Sequence, residues 1–475
     1  MLMKRLFTLF TALTASALTL QAYNYSTPGT GTTYTLESLA AIEASHVTKG
    51  NGGYTLADSI TISKGDSFQL KDGDIMLLGN KTAFIIQGSA DFSVANKATV
   101  TRATEDDTPD VIRLEGEGTF CFKNVTFDYV GLKSYAPLNI VIDSCSFVNY
   151  HSVNSNKGPI CFGSTDCKLT LTNSYFSNND FACYGGSANL MTRVRIENCV
   201  FNKSQKQNRN YPVLNLTPGD SIVVRNNVIH GSSELTMVGG ISVANLMGMS
   251  GMEYVEISGN TVDSCRYGIS LTGNLGLAVI KNNKLTNNRF VYKNNANYGG
   301  SGIAIYDSSK NLKVRASGNE ISGNLWGITI MGGKDINLGK IQVDGSSLEP
   351  TDAEYNEGRN VFKNNGNGGT RYDVAFPSGT SYLTVYAQNN QWGVEKQVED
   401  SIESVILHQH DDATLGKVIF MPALTASGIT ATKTNARQGK AEDYFDAYGR
   451  RREGIGRGLT IIRKNDGTVV KVMSR

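Results

Sequence analysis

Long apolar runs, proline and net charge are all scarce in this chain of 475 residues. After the N-terminus no stretch approaches about 18 uninterrupted apolar residues, which predicts a soluble mature chain without a transmembrane segment. The formal net charge is only +2, so we expect no electrostatic attraction to nucleic acid. Nine prolines against 50 glycines favour many tight turns between short strands over disordered linkers.

Several motifs that carry chemistry are also missing. There is no CxxC pair, no HExxH motif, no phosphate-binding loop and no Ser/His/Asp order. The odd number of cysteines forbids complete internal pairing, and several lie within apolar strand patterns. We therefore expect most of them to be buried as small hydrophobic residues. The seven are Cys121, Cys145, Cys161, Cys167, Cys183, Cys199 and Cys265.

The one apolar run stands at the N-terminus and is typical of a secretory signal. Lys4 and Arg5 precede the short apolar segment Leu6–Leu20, and Ala22 supplies a small residue for cleavage. A buried N-terminal helix is the alternative, but the segment is short and begins at Met1. The sequence predicts an exported protein that is secreted or held at the cell surface.

Most of the remaining chain repeats one six-residue template. Its first and last positions are apolar, its third is Asn or Gly, and its fourth is Asn or a small residue. The second and fifth positions accept any residue. Short strands with a corner glycine precede many copies, as in Gly240–Val243 and Gly268–Leu271. The copies are Phe122–Phe127, Ile142–Phe147, Leu171–Phe176, Ile196–Phe201, Val224–Ile229, Ile257–Val262, Ile280–Leu285, Ala316–Ile321, Arg359–Phe362 and Ala387–Trp392. Their unequal spacing indicates a coil of constant cross-section with loops of variable length.

A stacked coil explains the choice of residues in the template. Coils stacked at about 4.8 Å place apolar residues in continuous inward columns. Asn at a corner tolerates left-handed backbone torsions, and its amide can hydrogen-bond to the Asn residues above and below it. The sequence predicts an all-β fold, a right-handed parallel β-helix (solenoid). We expect Leu36–Ile42 to cover its N-terminal end. A capping helix through Val398, Ile402, Val405 and Ile406, then a strand in Gly416–Pro422, should cover the other end.

The repeats, together with Asn389–Gly393 and Leu415–Pro422, resemble right-handed β-helix proteins of the pectin-lyase-like superfamily. More narrowly, residues 34–422 are similar to a group of exported Bacteroidetes proteins. The motifs Tyr444–Arg450, Gly456–Arg463 and Asp466–Met473 resemble the closing motifs of C-terminal sorting domains of type IX secretion. Read from the residues alone, they predict three strands with turns at Gly449, Gly458 and Asp466–Gly467.

These patterns predict five segments. Residues 1–22 are the signal peptide, and residues 23–100 form the N-terminal cap and the first coils. Residues 101–424 form the β-helix with its C-terminal cap. Residues 425–440 are a linker, and residues 441–475 are a small β segment that resembles a sorting domain and would engage the export machinery.

The resemblance implies enzymes that cleave acidic polysaccharides. Lyases need a cation, usually calcium, and an Arg or Lys that takes a proton, whereas hydrolases need two carboxylates. One set of residues follows two successive repeats. If the two coils stack, these residues would line a basic, aromatic groove that suits a polyanionic sugar chain. Ordinary loop residues on a polar face are the simpler interpretation. The catalytic candidates are Asp263, Arg266 and Arg289, and the ligand-binding candidates are Tyr267, Tyr292 and Lys293.

Three further groups of residues are weaker candidates. The acids Glu105, Asp106, Asp107 and Asp110 suit calcium but flank a turn at Thr108–Pro109, which favours solvated turn acids. His408, His410 and Asp411 have the composition of a metal site, although histidines near a helix C-terminus also satisfy its carbonyls. Aromatic residues at Tyr298, Tyr306, Trp326, Tyr372, Tyr382 and Tyr386 could stack on sugars, but Trp326 and Trp392 occupy apolar repeat positions that are typical of the core.

The sequence leaves three functions open. The leading hypothesis is an exported or surface-displayed β-helix protein that binds a polysaccharide or a surface partner without strong catalysis. The alternatives are a polysaccharide lyase or glycoside hydrolase acting on acidic glycans through the groove around Arg266 and Arg289, and a structural or adhesive stalk. No cofactor is expected except calcium in the lyase case.

Overall fold

The structure is a computed structural model. It describes residues 24–424 apart from 110, 135, 152–157, 163–166, 184–192, 218, 220, 247–253, 293–294 and 368–371, with the backbone alone at 291–292 and 295–298. Beyond these it describes the backbone of 441–446, 451–452, 458–464 and 469–474. The signal peptide and the linker predicted from the sequence lie outside the described residues, as do the turns predicted at Gly449 and Asp466–Gly467. The chain divides into two units, Met1–Ala423 and Leu424–Arg475.

The first unit is a right-handed parallel β-helix, as the repeat predicts. Each coil runs through three faces, and each face is a parallel sheet whose neighbouring strands come from successive coils. Strands of the first face are Thr33–Tyr34, Ser67–Gln69, Leu138–Asp143, Lys168–Thr172, Arg193–Glu197, Ser221–Arg225, Tyr254–Ser258, Leu277–Lys281, Lys313–Ser317, Asp335–Gly339, Thr384–Ala387 and Lys417–Ile419. Strands of the second face are Gly53–Leu56, Ile75–Leu78, Ser146–Val148, Tyr175–Ser177, Val200–Asn202, Val228–His230, Thr261–Asp263, Lys284–Thr286, Glu320–Ser322 and Val361–Lys363.

Two long strands, Ser89–Arg102 and Gly118–Asp128, run through both of these faces. Strands of the third face are Tyr25–Ser26, Ile60–Ile62, Phe84–Ile86, Ile112–Leu114, Leu132–Ser134, Ile160–Phe162, Pro212–Leu216, Gly239–Ala244, Ile269–Thr272, Ser301–Asp307, Trp326–Gly332, Val374–Ala375 and Ile406–Leu407. Within the described residues of the coil, three pairs of short strands are antiparallel. They join Val47–Gly50 to Gly53–Leu56, Val291–Tyr292 to Asn295–Gly299, and Gln342–Val343 to Ser346–Ser347.

Inward columns of apolar side chains form the core, and their composition changes along the axis. In the N-terminal half one column is a stack of aromatic rings, in which Phe127, Phe147, Phe176 and Phe201 follow one another at centroid distances of 4.8, 5.0 and 4.7 Å. Aliphatic residues continue this column, and Phe362 and Trp392 end it at 5.2 Å. Trp392 is only 1% exposed, which confirms the core position predicted for it.

The template asparagines divide two tasks between adjacent residues. The first position adopts a left-handed backbone, as at Asn226 (φ 56°) and Asn282 (φ 55°), or is glycine, as at Gly259 (φ 67°). The second position points inward and forms a ladder, in which each amide oxygen accepts hydrogen bonds from the backbone and side chain of the previous Asn. The sequence interpretation assigned both tasks to one Asn. The ladder residues are Asn227, Asn260, Asn283, Asn319, Asn360 and Asn390.

Helix α1 (Leu36–Ile42) forms in the segment that is expected to cover the N-terminal end. Its capping box joins Thr35 and Ser38 through both backbone amides, and Leu36 and Leu39 are fully buried. The C-terminal helix α2 (Glu399–Glu403) is shorter than the apolar spacing predicts. Val398 is 51% exposed, and Ile406 belongs to the last strand of the third face, so the periodic residues are shared between helix and strand.

Six of the cysteines are buried and Cys121 is half-buried, and among the described residues no disulfide is present. The second unit contains a four-stranded antiparallel sheet of Ala441–Asp446, Arg451–Arg452, Gly458–Lys464 and Val469–Ser474. Gly458 begins a strand here, whereas the sequence interpretation placed a turn at this glycine. In the part of the chain that the structure describes, no helix is both long and apolar enough to cross a membrane.

Candidate functional site

A polar cavity of about 320 Å³ lies at the corner between the second and third faces. At this corner, residues with left-handed backbone torsions end the second-face strands, as Tyr129 (φ 62°), Asn149 (φ 56°) and Asn178 (φ 60°) do on three successive coils. Because the same turn recurs on each coil, the residues that follow it stack along the axis. The cavity is lined by Arg102, Asp107, Thr108, Pro109, Tyr129, Asn149, His151, Asn178, Asp180 and Lys206.

An oriented histidine faces this cavity. Nδ1 of His151 contacts Oδ2 of Asp180, which lies 29 residues further along the chain but only one coil away. The Asp180 side chain is 8% exposed, whereas that of His151 is 54% exposed. Asp180 is held in turn by its backbone amide, which donates to the Tyr150 carbonyl at 2.9 Å. A buried carboxylate at Nδ1 favours the tautomer of the neutral ring that carries its hydrogen there, which leaves the lone pair on Nε2.

Two cations line the same cavity as the imidazole. The guanidinium of Arg102 lies 3.7 Å from the centroid of the Tyr129 ring, which fixes its position by a cation–π contact. Lys206 is exposed, and its backbone amide donates to the Asn179 carbonyl at 2.9 Å. The cavity therefore brings together two cations, the carboxylates of Asp107 and Asp180, and a histidine that one of these carboxylates orients.

The carboxylates near the cavity do not fit calcium. Asp107 accepts hydrogen bonds from both the amide and the hydroxyl of Thr104 at 2.8 Å, so it closes a turn as the simpler interpretation expects. Asp180 is engaged by His151, and Asp110 lies outside the described residues. Calcium requires six to eight oxygen ligands. Among the described residues, no group of three or more His, Cys, Asp or Glu side chains is arranged to hold a metal ion.

Asp263, one of the catalytic candidates, connects successive coils. It accepts hydrogen bonds from Thr286 Oγ1 at 2.6 Å, Asn287 Nδ2 at 2.9 Å and Ser264 Oγ at 2.7 Å. Burial opposes its charged form, but these hydrogen bonds outweigh burial and hold the pKa of Asp263 below its usual value. His230 lies beside Asp263 in the second face. The carboxylate is thus a stable acceptor within the wall of the coil.

Arg266 and Arg289 lie at the same corner on neighbouring coils. The residues just before them are joined there, since the amide of Cys265 donates to Oδ1 of Asn288 at 3.0 Å. Arg289 is exposed, whereas Arg266 is half-buried with its guanidinium 5.0 Å from the Tyr267 ring.

Tyr267 is 8% exposed and packs over Gly239, where an added Cβ would lie 2.1 Å from the ring. It forms part of the wall and presents no open ring face. The side chain of Tyr292 and all of Lys293 lie outside the described residues.

His408, His410 and Asp411 meet in the C-terminal cap through hydrogen bonds. Nδ1 of His408 accepts the backbone N–H of Val418 at 3.1 Å, so its hydrogen is on Nε2, which donates to Glu403 Oε1 at 2.6 Å. His410 Nδ1 lies 3.2 Å from the same carboxylate oxygen. Asp411 accepts the amide of His408 at 3.0 Å. Both ring nitrogens of His408 are therefore occupied within the cap.

Sequence reasoning named Asp107 only as a weak calcium candidate and missed Arg102, His151, Asp180 and Lys206, although one signal was present. His151 and Asp180 stand four positions after the inward residues Phe147 and Phe176, which close their repeats. Arg266 and Arg289 stand four positions after Val262 and Leu285. Aligning the repeats on these closing residues places all four functional candidates in one column at a single corner of the coil.

The comparisons with known proteins concern the β-helix. The family model described as "Right handed beta helix region" matches residues 110–348. No curated protein matches the chain. Among solved structures, a double mutant of the periplasmic alginate epimerase AlgG is 11% identical, with a TM-score of 0.42, and covers 82% of this chain and 84% of that one. A single mutant of the same epimerase is 13% identical, with a TM-score of 0.40 and the same coverage.

Proposed function

Since this chain belongs to the family of right-handed β-helix regions, we propose that it is an exported protein that binds an acidic polysaccharide along one corner of the coil. The observation that carries the proposal is the cluster of Arg102, His151 and Lys206 around one cavity. The same corner continues to Arg266 and Arg289. Cations in a row suit a chain that carries a carboxylate on successive sugars.

The dimensions of the corner support a long ligand. Seven successive pairings of second-face strands separate the coil that ends at Arg102 from the coil that leads to Arg289. At about 4.8 Å per coil the row extends over about 34 Å. Guanidinium groups bind carboxylates in a bidentate fashion, and such exposed contacts weaken as salt is added.

Affinity electrophoresis in gels that contain polygalacturonate or alginate tests this binding. We expect the chain to be retarded by at least one of these glycans, and retardation to fall as salt increases. Replacing Arg102, Lys206 or Arg289 by Ala should weaken binding by about 1 kcal/mol, or about fivefold, per residue. Lys281→Ala is the matched control, since Lys281 is an exposed cation of the first face. No retardation by any acidic glycan, or equal losses in the control, would contradict the proposal and favour a structural stalk.

The orientation of His151 by Asp180 favours a second candidate function, which is proton transfer on the bound glycan. Nε2 of His151 would accept the proton from the carbon next to a uronate carboxylate, while Arg102 and Lys206 neutralise that carboxylate. Elimination and epimerisation of acidic sugars both begin with this step.

Incubation in D₂O tests the candidate directly, because abstraction introduces deuterium into recovered glycan, or an ultraviolet-absorbing double bond if elimination follows. We expect His151→Ala to abolish either signal while it still binds, and Asp180→Asn to reduce it. If the unmodified protein shows neither signal with any glycan that it binds, the catalytic role is refuted and the binding role stands.

Export and surface location belong to the proposal as well. The N-terminal signal, and the C-terminal motifs that resemble type IX sorting domains of Bacteroidetes, support it. In a host with that secretion system, removal of residues 441–475 should leave the protein in the periplasm, whereas the full chain reaches the cell surface or the medium. Equal export of both chains would show that the segment has another role.

A further inference from the structure

Two exposed tyrosines mark the opposite edge of the third face, where the chain leaves it for the first face. Tyr306 stands near the end of the strand Ser301–Asp307, and Tyr382 lies in the turn that follows the strand Val374–Ala375. Each is 47% exposed. Leu246, which is 78% exposed, follows the strand Gly239–Ala244 at the same edge, two coils before Tyr306. Among the other large hydrophobic residues that are exposed in the described part of the chain, Tyr175 on the second face is the one aromatic residue.

The two tyrosines are connected by a rigid turn. Asp307 is fully buried and accepts the backbone amides of Ser309 at 2.9 Å, and of Asn311 and Leu312 at 2.7 Å. This turn carries Lys310, whose Nζ lies 3.9 Å from the centroid of the Tyr382 ring. The cation–π contact orients the ring before any ligand arrives, so less conformational entropy is lost on binding.

The coil sets the separation of the two rings along the axis. Tyr306 pairs with Met331 on the next coil, and Thr329 of that strand pairs with Ala375 on the coil after it. The turn that carries Tyr382 leaves this third coil, so the tyrosines differ by two coils, or about 10 Å along the axis. Both rings can therefore contact one extended ligand that runs along this edge.

The surroundings of the rings indicate the class of ligand. Tyr306 has Thr272 and Met331 as neighbours across the sheet, and Lys310 and Thr380 are polar residues close to Tyr382 in space or sequence. A protein partner would need a larger continuous apolar patch. An exposed tyrosine offers an apolar ring face and a polar hydroxyl, which match the apolar face and the hydroxyl rim of a sugar ring.

We propose that Tyr306 and Tyr382, with Lys310 as their support, form a stacking platform for the sugar rings of a neutral polysaccharide. The platform lies on the other edge of the third face from the cationic corner and does not depend on it. A glycan bound here is held by ring stacking, so its affinity is insensitive to salt. The chain would then have two separate contacts for carbohydrate, one electrostatic and one aromatic.

Affinity electrophoresis with laminarin, soluble xylan and hydroxyethyl cellulose tests the platform on the full mature chain. At least one of these neutral glycans should retard the protein equally at low and high salt. Tyr306→Ala and Tyr382→Ala should each weaken binding about three- to tenfold. Tyr306→Phe should retain it, because the ring is kept.

Tyr175→Ala is the matched control, because it removes an exposed tyrosine of the second face, and thermal melting checks that every variant folds. The salt dependence separates this platform from the cationic corner, because binding of neutral glycans should be the same at low and high salt. The proposal is overturned if no neutral glycan retards the protein, if Tyr175→Ala loses as much affinity as the platform variants, or if Tyr306→Phe loses as much as Tyr306→Ala.

Discussion

Replacing Asn283 by Ala removes one rung from the middle of the asparagine ladder. The side chain of Asn283 is 1% exposed and makes four hydrogen bonds. Its oxygen accepts the amide of Asn260 at 3.0 Å and the side-chain Nδ2 of Asn260 at 2.9 Å. Its Nδ2 donates to the Ile257 carbonyl and to Asn319 Oδ1, both at 2.9 Å.

Truncation removes the acceptor of the buried Asn260 amide and the side-chain donor to the Ile257 carbonyl. Nδ2 of Asn260 keeps the Val224 carbonyl, and Asn319 keeps the backbone hydrogen bond from residue 283. At about 1 to 3 kcal/mol for each unsatisfied buried group, partly relieved by relaxation, we expect the free energy of unfolding to fall by about 4 kcal/mol. The loss should be local, because each coil contacts mainly its neighbours.

Urea denaturation, together with hydrogen exchange of the peptide that contains Asn260, measures both effects. Asn282→Gly is the control on the adjacent residue, because glycine readily adopts the left-handed backbone found there (φ 55°), and the change should stay below about 1 kcal/mol. If Asn283→Ala and Asn282→Gly shift the denaturation midpoint equally, or if exchange at Asn260 is unchanged, the ladder contributes no specific stability.

Four further predictions concern stability and reactivity. Burial opposes the charge of Asp307, but the hydrogen bonds from Ser309 and the following amides outweigh it and lower its pKa. The contribution of the Asp307 carboxylate to the free energy of unfolding should therefore be complete above the ordinary aspartate pKa and be lost as pH falls through the lowered value. Asp307→Asn should destabilise the protein at neutral pH and make little difference in strong acid. Melting experiments at a series of pH values will show this.

Burial raises the pKa of four thiols to about 12, at Cys145, Cys183, Cys199 and Cys265. A thiol reagent at mild alkaline pH should therefore modify half-buried Cys121 first and the remaining cysteines only in denaturant, and rapid modification of all seven in the native protein would contradict their burial. His408→Ala should cost about 2 kcal/mol in denaturation experiments, since the amide of Val418 loses its acceptor. Ile269→Asp should destabilise by several kcal/mol, since it buries an unpaired charge, and an unchanged melting temperature would refute the inward position.

The architecture could be predicted from the sequence because its signal is local and repeated. Each copy of the template carries its own inward residues and its own corner, so the sequence encodes the same coil geometry ten times. The capping helix was less predictable. Val398 and Ile402 have helical spacing with Val405, which predicts a longer helix. Ile406 instead belongs to the third-face strand of the last coil, where it pairs with Val374.

The candidate site was predictable only in part. Arg266 and Arg289 were selected because they follow two copies that are close in the sequence, and the structure places them at one corner. Tyr267 was selected by residue type, yet its ring fills the space above Gly239, a contact that no local pattern indicates.

The sequence by itself determined the right-handed coil, since periodic apolar residues and left-handed Asn or Gly corners are encoded within each short repeat. Only the tertiary structure decided which polar residues meet. The loops between coils differ in length, so residues such as His151 and Asp180, 29 positions apart, become neighbours through the register of stacked strands and through no fixed spacing in the chain. The burial of Asp180 and the exposure of His151 are likewise properties of the stacked coils together, because each wall is completed by its neighbours.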